Sequence, residues 1–104
     1  MKRTQIVTHL MPSELADYSD ILDKFKEGSK YLDSNDWVSI QVTLNLSPML
    51  IDWENSDIEQ NIFKEYFKKL KEKCDWAQEV VFEVMEGNSI LGTTSQKRSY
   101  QRRL

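Results

Sequence analysis

The chain has very little of the residues that fix structure from outside a core: one cysteine, one histidine, two prolines and three glycines in 104 residues. A single cysteine, Cys74, excludes an intrachain disulfide, a cysteine cluster for zinc and a CxxC redox pair. One histidine, His9, leaves no second imidazole for a metal centre, and no Ser-His-Asp set can be assembled around it. Long hydrophobic runs are absent too. The opening Met1-Lys2-Arg3-Thr4-Gln5-Ile6-Val7 has no apolar stretch of signal-peptide length, and nothing approaches the roughly 20 apolar residues of a membrane helix, so a soluble cytoplasmic protein is expected. The few prolines, with 39% hydrophobic and 11% aromatic residues, indicate a folded globule with one core.

Charge is unevenly placed. The formal net charge is −3, from 14 basic and 17 acidic side chains. From Gly87 onward there is no acidic residue, only Lys97, Arg98, Arg102 and Arg103. The acidic body argues against nucleic acid as a partner, whereas the tail suits an anion.

Hydrophobic periodicity orders the elements. Ile6 to Met11 predicts a first strand, turned into a helix start by Pro12-Ser13-Glu14. Leu15, Tyr18, Leu22, Phe25, Ser29 and Leu32 then recur at helical spacing. Val38, Ile40, Val42, Leu44 and Leu46 alternate with polar residues up to Ser47, predicting a second strand with one face thinly covered, because strands buried on both faces are usually apolar throughout. Ser56-Asp57-Ile58-Glu59 matches a capping box, and the stripe Ile58, Ile62, Phe63, Tyr66, Phe67, Leu70 and Cys74 predicts the second helix. Val80 to Val84 predicts a third strand. The glycine-containing stretch Gly92-Thr93-Thr94-Ser95-Gln96-Lys97-Arg98 is expected to open a third helix with anion-facing backbone donors. The expected fold is therefore a single α/β domain over residues 1–104, a small three-layer Rossmann-like βαβαβα unit whose three strands pair in parallel in the order 3-2-1.

The chemical candidates are sparse. Gly92 to Arg98 lacks P-loop spacing and no GxGxxG is present. His9 reads best as a strand-end structural residue and Cys74 as a small core hydrophobe. Asp52 and Glu54 flank Trp53 without a third ligand.

The succession of a first strand with its Pro12-Ser13-Glu14 turn, a second strand ending in Thr43-Leu44-Asn45-Leu46-Ser47, and a third strand followed by Gly92 and a basic helix start resembles the N-terminal, nucleotide-binding half of family-2-like glycosyltransferases with the GT-A fold. The resemblance implies a donor-binding half in which Pro12, Ser13, Glu14 and Asn45 hold the nucleoside, and in which Gly92, Lys97 and Arg98 approach the phosphates. The family's Asp-Asp-Gly-Ser after the second strand is replaced by Thr43 to Ser47. Its Asp-x-Asp metal motif and catalytic base would lie beyond Leu104, so the resemblance implies an incomplete part of a larger domain. Divalent metal and nucleotide sugar are then expected only in a full-length relative, with weak binding of a nucleoside diphosphate sugar here, no membrane contact and self-association through an uncovered sheet edge. The other expectation from the residues is a small α/β interaction module whose basic C-terminal helix contacts an acidic partner or nucleic acid.

Overall fold

A computed structural model describes residues 2–33, 35–46 and 61–97. Strand β1 (Arg3–Leu10) runs into a 3₁₀ turn (Pro12–Asp17) and helix α1 (Tyr18–Ser29). Strand β2 (Trp37–Leu46) follows, then a π-helical turn (Ile62–Tyr66) continuous with helix α2 (Phe67–Lys73), and finally strands β3 (Glu79–Glu86) and β4 (Ser89–Lys97). The sheet has four strands in the order β1-β2-β3-β4. Strands β1 and β2 pair in parallel, as do β2 and β3, while β4 is antiparallel to β3.

The protein is thus an α/β domain with a mixed, open sheet, and two sequence expectations are corrected. The segment around Gly92 is a strand rather than a helix. Gly87-Asn88 forms a two-residue turn in which Gly87 has φ of 60° and no non-glycine residue among those described has positive φ, the pattern of a type II′ hairpin. The β-branched residues Ile90, Thr93 and Thr94 suit the strand that returns. Register shifts between Val84 and Met85, which are opposite Gly92 and Ile90, so Leu91 is the extra residue of a bulge.

The second correction concerns layers. Tyr18, Phe63 and Tyr66 all pack around Phe82, with ring centroids 6.3 to 6.5 Å from it, so α1 and the π turn lie on the same face of the sheet. Two crossovers of one hand stepping in one direction put both helices on one side, giving two layers instead of three. That side holds the core: Leu10, Val38, Ile40, Val42, Leu44, Val80, Phe82 and Val84 point into it, meeting Tyr18, Leu22, Leu70 and Cys74.

Local polar chemistry closes the ends. The Met11 N–H donates to Glu14 Oε1 at 2.8 Å, while the Glu14 N–H donates to the Met11 carbonyl, so the Pro12-Ser13-Glu14 turn caps itself. Buried Gln78 ties β2 to the start of β3, its Oε1 accepting the Val38 N–H at 2.8 Å and its own N–H donating to the Val38 carbonyl at 3.0 Å. Lys73 Nζ donates to Asp23 Oδ1 at 2.7 Å between the helices, and this hydrogen bond raises the lysine pKa. Both groups are substantially exposed, so the pair adds little to stability. No helix among the described residues is long and apolar enough to cross a membrane.

The buried Tyr18 hydroxyl donates to the Tyr66 carbonyl at 3.0 Å. Desolvation holds its pKa far above the usual tyrosine value, with Cys74 and Tyr66 adding to the shift. Tyr18→Phe should therefore cost about 1 kcal/mol at neutral pH. Because the folded protein keeps this phenol protonated while the unfolded chain ionises it, wild-type stability falls as pH rises above the ordinary tyrosine range. The gap between the two proteins should close there. Urea denaturation of both at neutral and strongly alkaline pH measures this, and a gap that widened with pH would contradict the assignment.

Candidate functional site

The side chains that do not face the helices form a second surface. Registered neighbours on it run in rows across the strands: Gln5, Ser39, Glu79 and Lys97; then Val7, Gln41, Val81 and Ser95; then His9, Thr43, Glu83 and Thr93. The outer strand residues Arg3, Gln5, Val7, His9, Thr93, Ser95 and Lys97 are exposed, and no helix or strand among the described residues packs over them. This is the face on which the polar positions of β2 lie.

Its polar groups bond to one another. Ser39 Oγ donates to Glu79 Oε1 at 2.8 Å, and Gln41 Nε2 donates to Thr43 Oγ1 at 3.1 Å with a longer contact of 3.4 Å to Glu83 Oε1. Thr93 Oγ1 reaches Glu83 Oε2 at 3.5 Å, and Asn45 Nδ2 lies 3.4 Å from His9 Nδ1. Such mutual satisfaction holds the side chains in place; Ser39 and Thr43 are buried, with no described helix above them.

One end of this surface differs. Half-buried Trp37, the first residue of β2, has the Arg3 guanidinium carbon 4.8 Å and Lys97 Nζ 5.3 Å from its ring centroid. These distances are within cation–π range. Arg3, Gln5, Trp37, Ser39, Glu79 and Lys97 line a shallow depression of about 420 Å³. Neither Arg3 nor Lys97 forms an ion pair with a carboxylate among the described residues; the pairs there are Lys30–Glu27 and Lys73–Asp23. The site therefore combines an aromatic plate, two cations outside any ion pair among the described residues, the Glu79 carboxylate, and fixed hydrogen-bonding groups.

Among the described residues, the sequence-predicted site residues divide between the two ends of the sheet: Pro12, Ser13, Glu14, Asn45 and Gly92 lie toward one and Lys97 at the other. Pro12, Ser13 and Glu14 lie beyond the C-terminal end of β1, and Glu14 is engaged in capping. Asn45 sits near the C-terminal end of β2, beside His9. Lys97 is opposite Glu79, at the other end of the sheet, because β4 runs antiparallel. At about 3.3 Å per residue it is roughly 20 Å from Asn45 along the strands, too far for one diphosphate to bridge. Gly92 lies on the helix side of β4, where a side-chain carbon would overlap the Phe63 ring. The lack of a side chain there leaves room for that ring.

Arg98, like Asp52, Trp53, Glu54 and the Ser56–Glu59 capping box, lies outside the described residues. Cys74 is fully buried, as expected of a core hydrophobe. No group of three or more His, Cys, Asp or Glu able to hold a metal occurs among the described residues. Trp37 and Arg3 were not legible as site residues. Their only signal is an aromatic and a cation at positions of opposite-face parity to the apolar series, and Lys97 joins them only through the antiparallel strand.

Comparison with protein-family models, with curated proteins and with solved structures found no match.

Proposed function

We propose that this chain is a small α/β interaction module that engages an acidic segment of a partner protein at the Trp37 end of the sheet face that no described helix covers. The observation that carries this reading is the pair of cations, Arg3 and Lys97, poised over the Trp37 ring without carboxylate partners among the described residues. Trp and Arg together are the residue types that dominate binding energy at protein interfaces, since each combines a large contact area with directed polar groups. Lys97 is followed in the sequence by Arg98, Arg102 and Arg103, with no acidic residue among the last eighteen. The acidic remainder of the body disfavours a nucleic acid, whose phosphates would meet it at every other orientation.

The donor-binding half of a glycosyltransferase is the second reading, favoured by the parallel succession β1, β2, β3 with helical crossovers. The separation of Lys97 from Asn45 and the Pro12–Glu14 turn weighs against it.

Titration of a glutamate-rich peptide into labelled protein separates these readings. The Trp37 indole and the Arg3 and Lys97 amides should shift, and Trp37→Ala should weaken binding by about 30-fold or more, the loss of roughly 2 kcal/mol expected at a binding hot spot. Arg3→Ala should chiefly flatten the salt dependence. Unchanged affinity in Trp37→Ala would sink the interaction reading. UDP shifting Asn45 and the Pro12–Glu14 turn, with no response at Trp37, would restore the donor-half reading.

A further inference from the structure

The two edges of the sheet are guarded differently. Edge strands expose unpaired N–H and C=O groups, and proteins normally blunt them with bulges, prolines or internal charges. Strand β4 carries the bulge at Leu91 and ends in Lys97. Strand β1 shares only the terminal charge and has neither a bulge nor a proline. Its eight residues, Arg3–Leu10, pair with β2 in unbroken register, contain no proline, and carry one formal charge, Arg3, at the very end. Val7 at 45% and Met11 at 49% exposure also place two large hydrophobic side chains on or just after this strand.

The hydrogen-bond phase of β1 is fixed by the Trp37 N–H, which donates to the Lys2 carbonyl at 2.7 Å. In a parallel ladder alternate residues bond inward, so Thr4, Ile6, Thr8 and Leu10 face β2. Arg3, Gln5, Val7 and His9 then turn their N–H and C=O groups outward, where no described strand meets them.

We infer that β1 is a dimerisation edge, and that a second copy of this chain pairs with it antiparallel about a two-fold axis at Ile6. This register sets Arg3 opposite the second copy's His9 and Gln5 opposite its Val7, so every outward backbone group of each strand meets one of its partner. Thr4 then faces Thr8, and the two Ile6 side chains meet on the helix side in a close, non-hydrogen-bonded pair. No two formal like charges are opposed. The result is a continuous eight-stranded sheet, with both helix layers on one face and both Trp37 ends on the other. A single-residue slip is disfavoured because it would set core-facing residues opposite surface-facing ones.

Sedimentation of the full chain over a concentration series, combined with amide hydrogen exchange, tests this. The protein should be dimeric at about 100 µM and dissociate on dilution. The amides of Arg3, Gln5, Val7 and His9 should be protected in the concentrated sample and exchange freely in the dilute one. Gln5→Lys with Val7→Lys, both at exposed positions, sets like charges directly opposite across the axis and should give a monomer whose circular dichroism melt matches that of the wild type at a dilution where the wild type is itself monomeric. A monomer at every concentration overturns the inference. So does a dimer that survives the double lysine change, or one in which those four amides remain unprotected.

Discussion

Phe82→Ala should be the most damaging truncation in this fold, with a loss of about 3–5 kcal/mol. Phe82 is fully buried in β3, paired with Val42 on one side and Thr94 on the other. Above it the rings of Tyr18, Phe63 and Tyr66 converge from both crossovers, Tyr18 and Phe63 edge-on and Tyr66 stacked. Tyr18 also meets Tyr66 edge-on at 5.1 Å, so the four rings form one cluster joining α1, the π turn and the sheet. Removing the central ring opens a cavity between three elements that cannot all close upon it. Since small domains have only about 5–15 kcal/mol of total stability, the variant should approach the unfolding threshold. Urea denaturation would give the loss directly. A cost below about 1 kcal/mol would mean that the helices can settle onto the sheet without this ring.

Much of this arrangement was legible because it rests on local periodicity. The stripe through Leu15, Tyr18 and Leu22 gives the 3₁₀ turn and α1, and the one through Phe63, Tyr66 and Leu70 gives the π turn and α2. The alternation from Val38 to Leu46 predicts a sheet with one thinly covered face, which is where Ser39, Gln41, Thr43 and Asn45 lie. The predicted adjacency of three parallel strands also appears, as β1-β2-β3. That order was incompatible with the three layers expected alongside it, since equal steps across the sheet carry both helices to one face.

The fourth strand was missed for a chemical reason. Ser, Thr and Gly near basic residues suit a capped helix start, but Gly87-Asn88 between two β-prone runs is equally a hairpin signal, and pairing with an already formed β3 edge decides between them. Once β4 turns back, Lys97 lies at the Trp37 end of the sheet, away from Asn45 and the Pro12–Glu14 turn. A site made by residues three strands apart, such as Arg3 and Lys97, has no local signature at all.

Gly92 gives the sharpest test of that reassignment. A side-chain carbon at this position meets the Phe63 ring, and the residue has no positive φ to protect, so the demand for glycine is one of space. Gly92→Val should suit the strand backbone yet push Phe63 away from Phe82, with a cost of up to about 3 kcal/mol, the upper range for overpacking. The double change Gly92→Val with Phe63→Ala supplies the decisive comparison. Removing Phe63 alone strips its edge-on contact with Phe82 and is itself costly, but valine should then occupy part of the space the ring has left, making the pair of changes less damaging than the two costs added together. Denaturation of the wild type, both single variants and the double variant yields that coupling energy. Strict additivity would show that the glycine is not required by the ring. In that event backbone exposure at Gly92, with its opportunity for anion contact, would regain its place as the explanation.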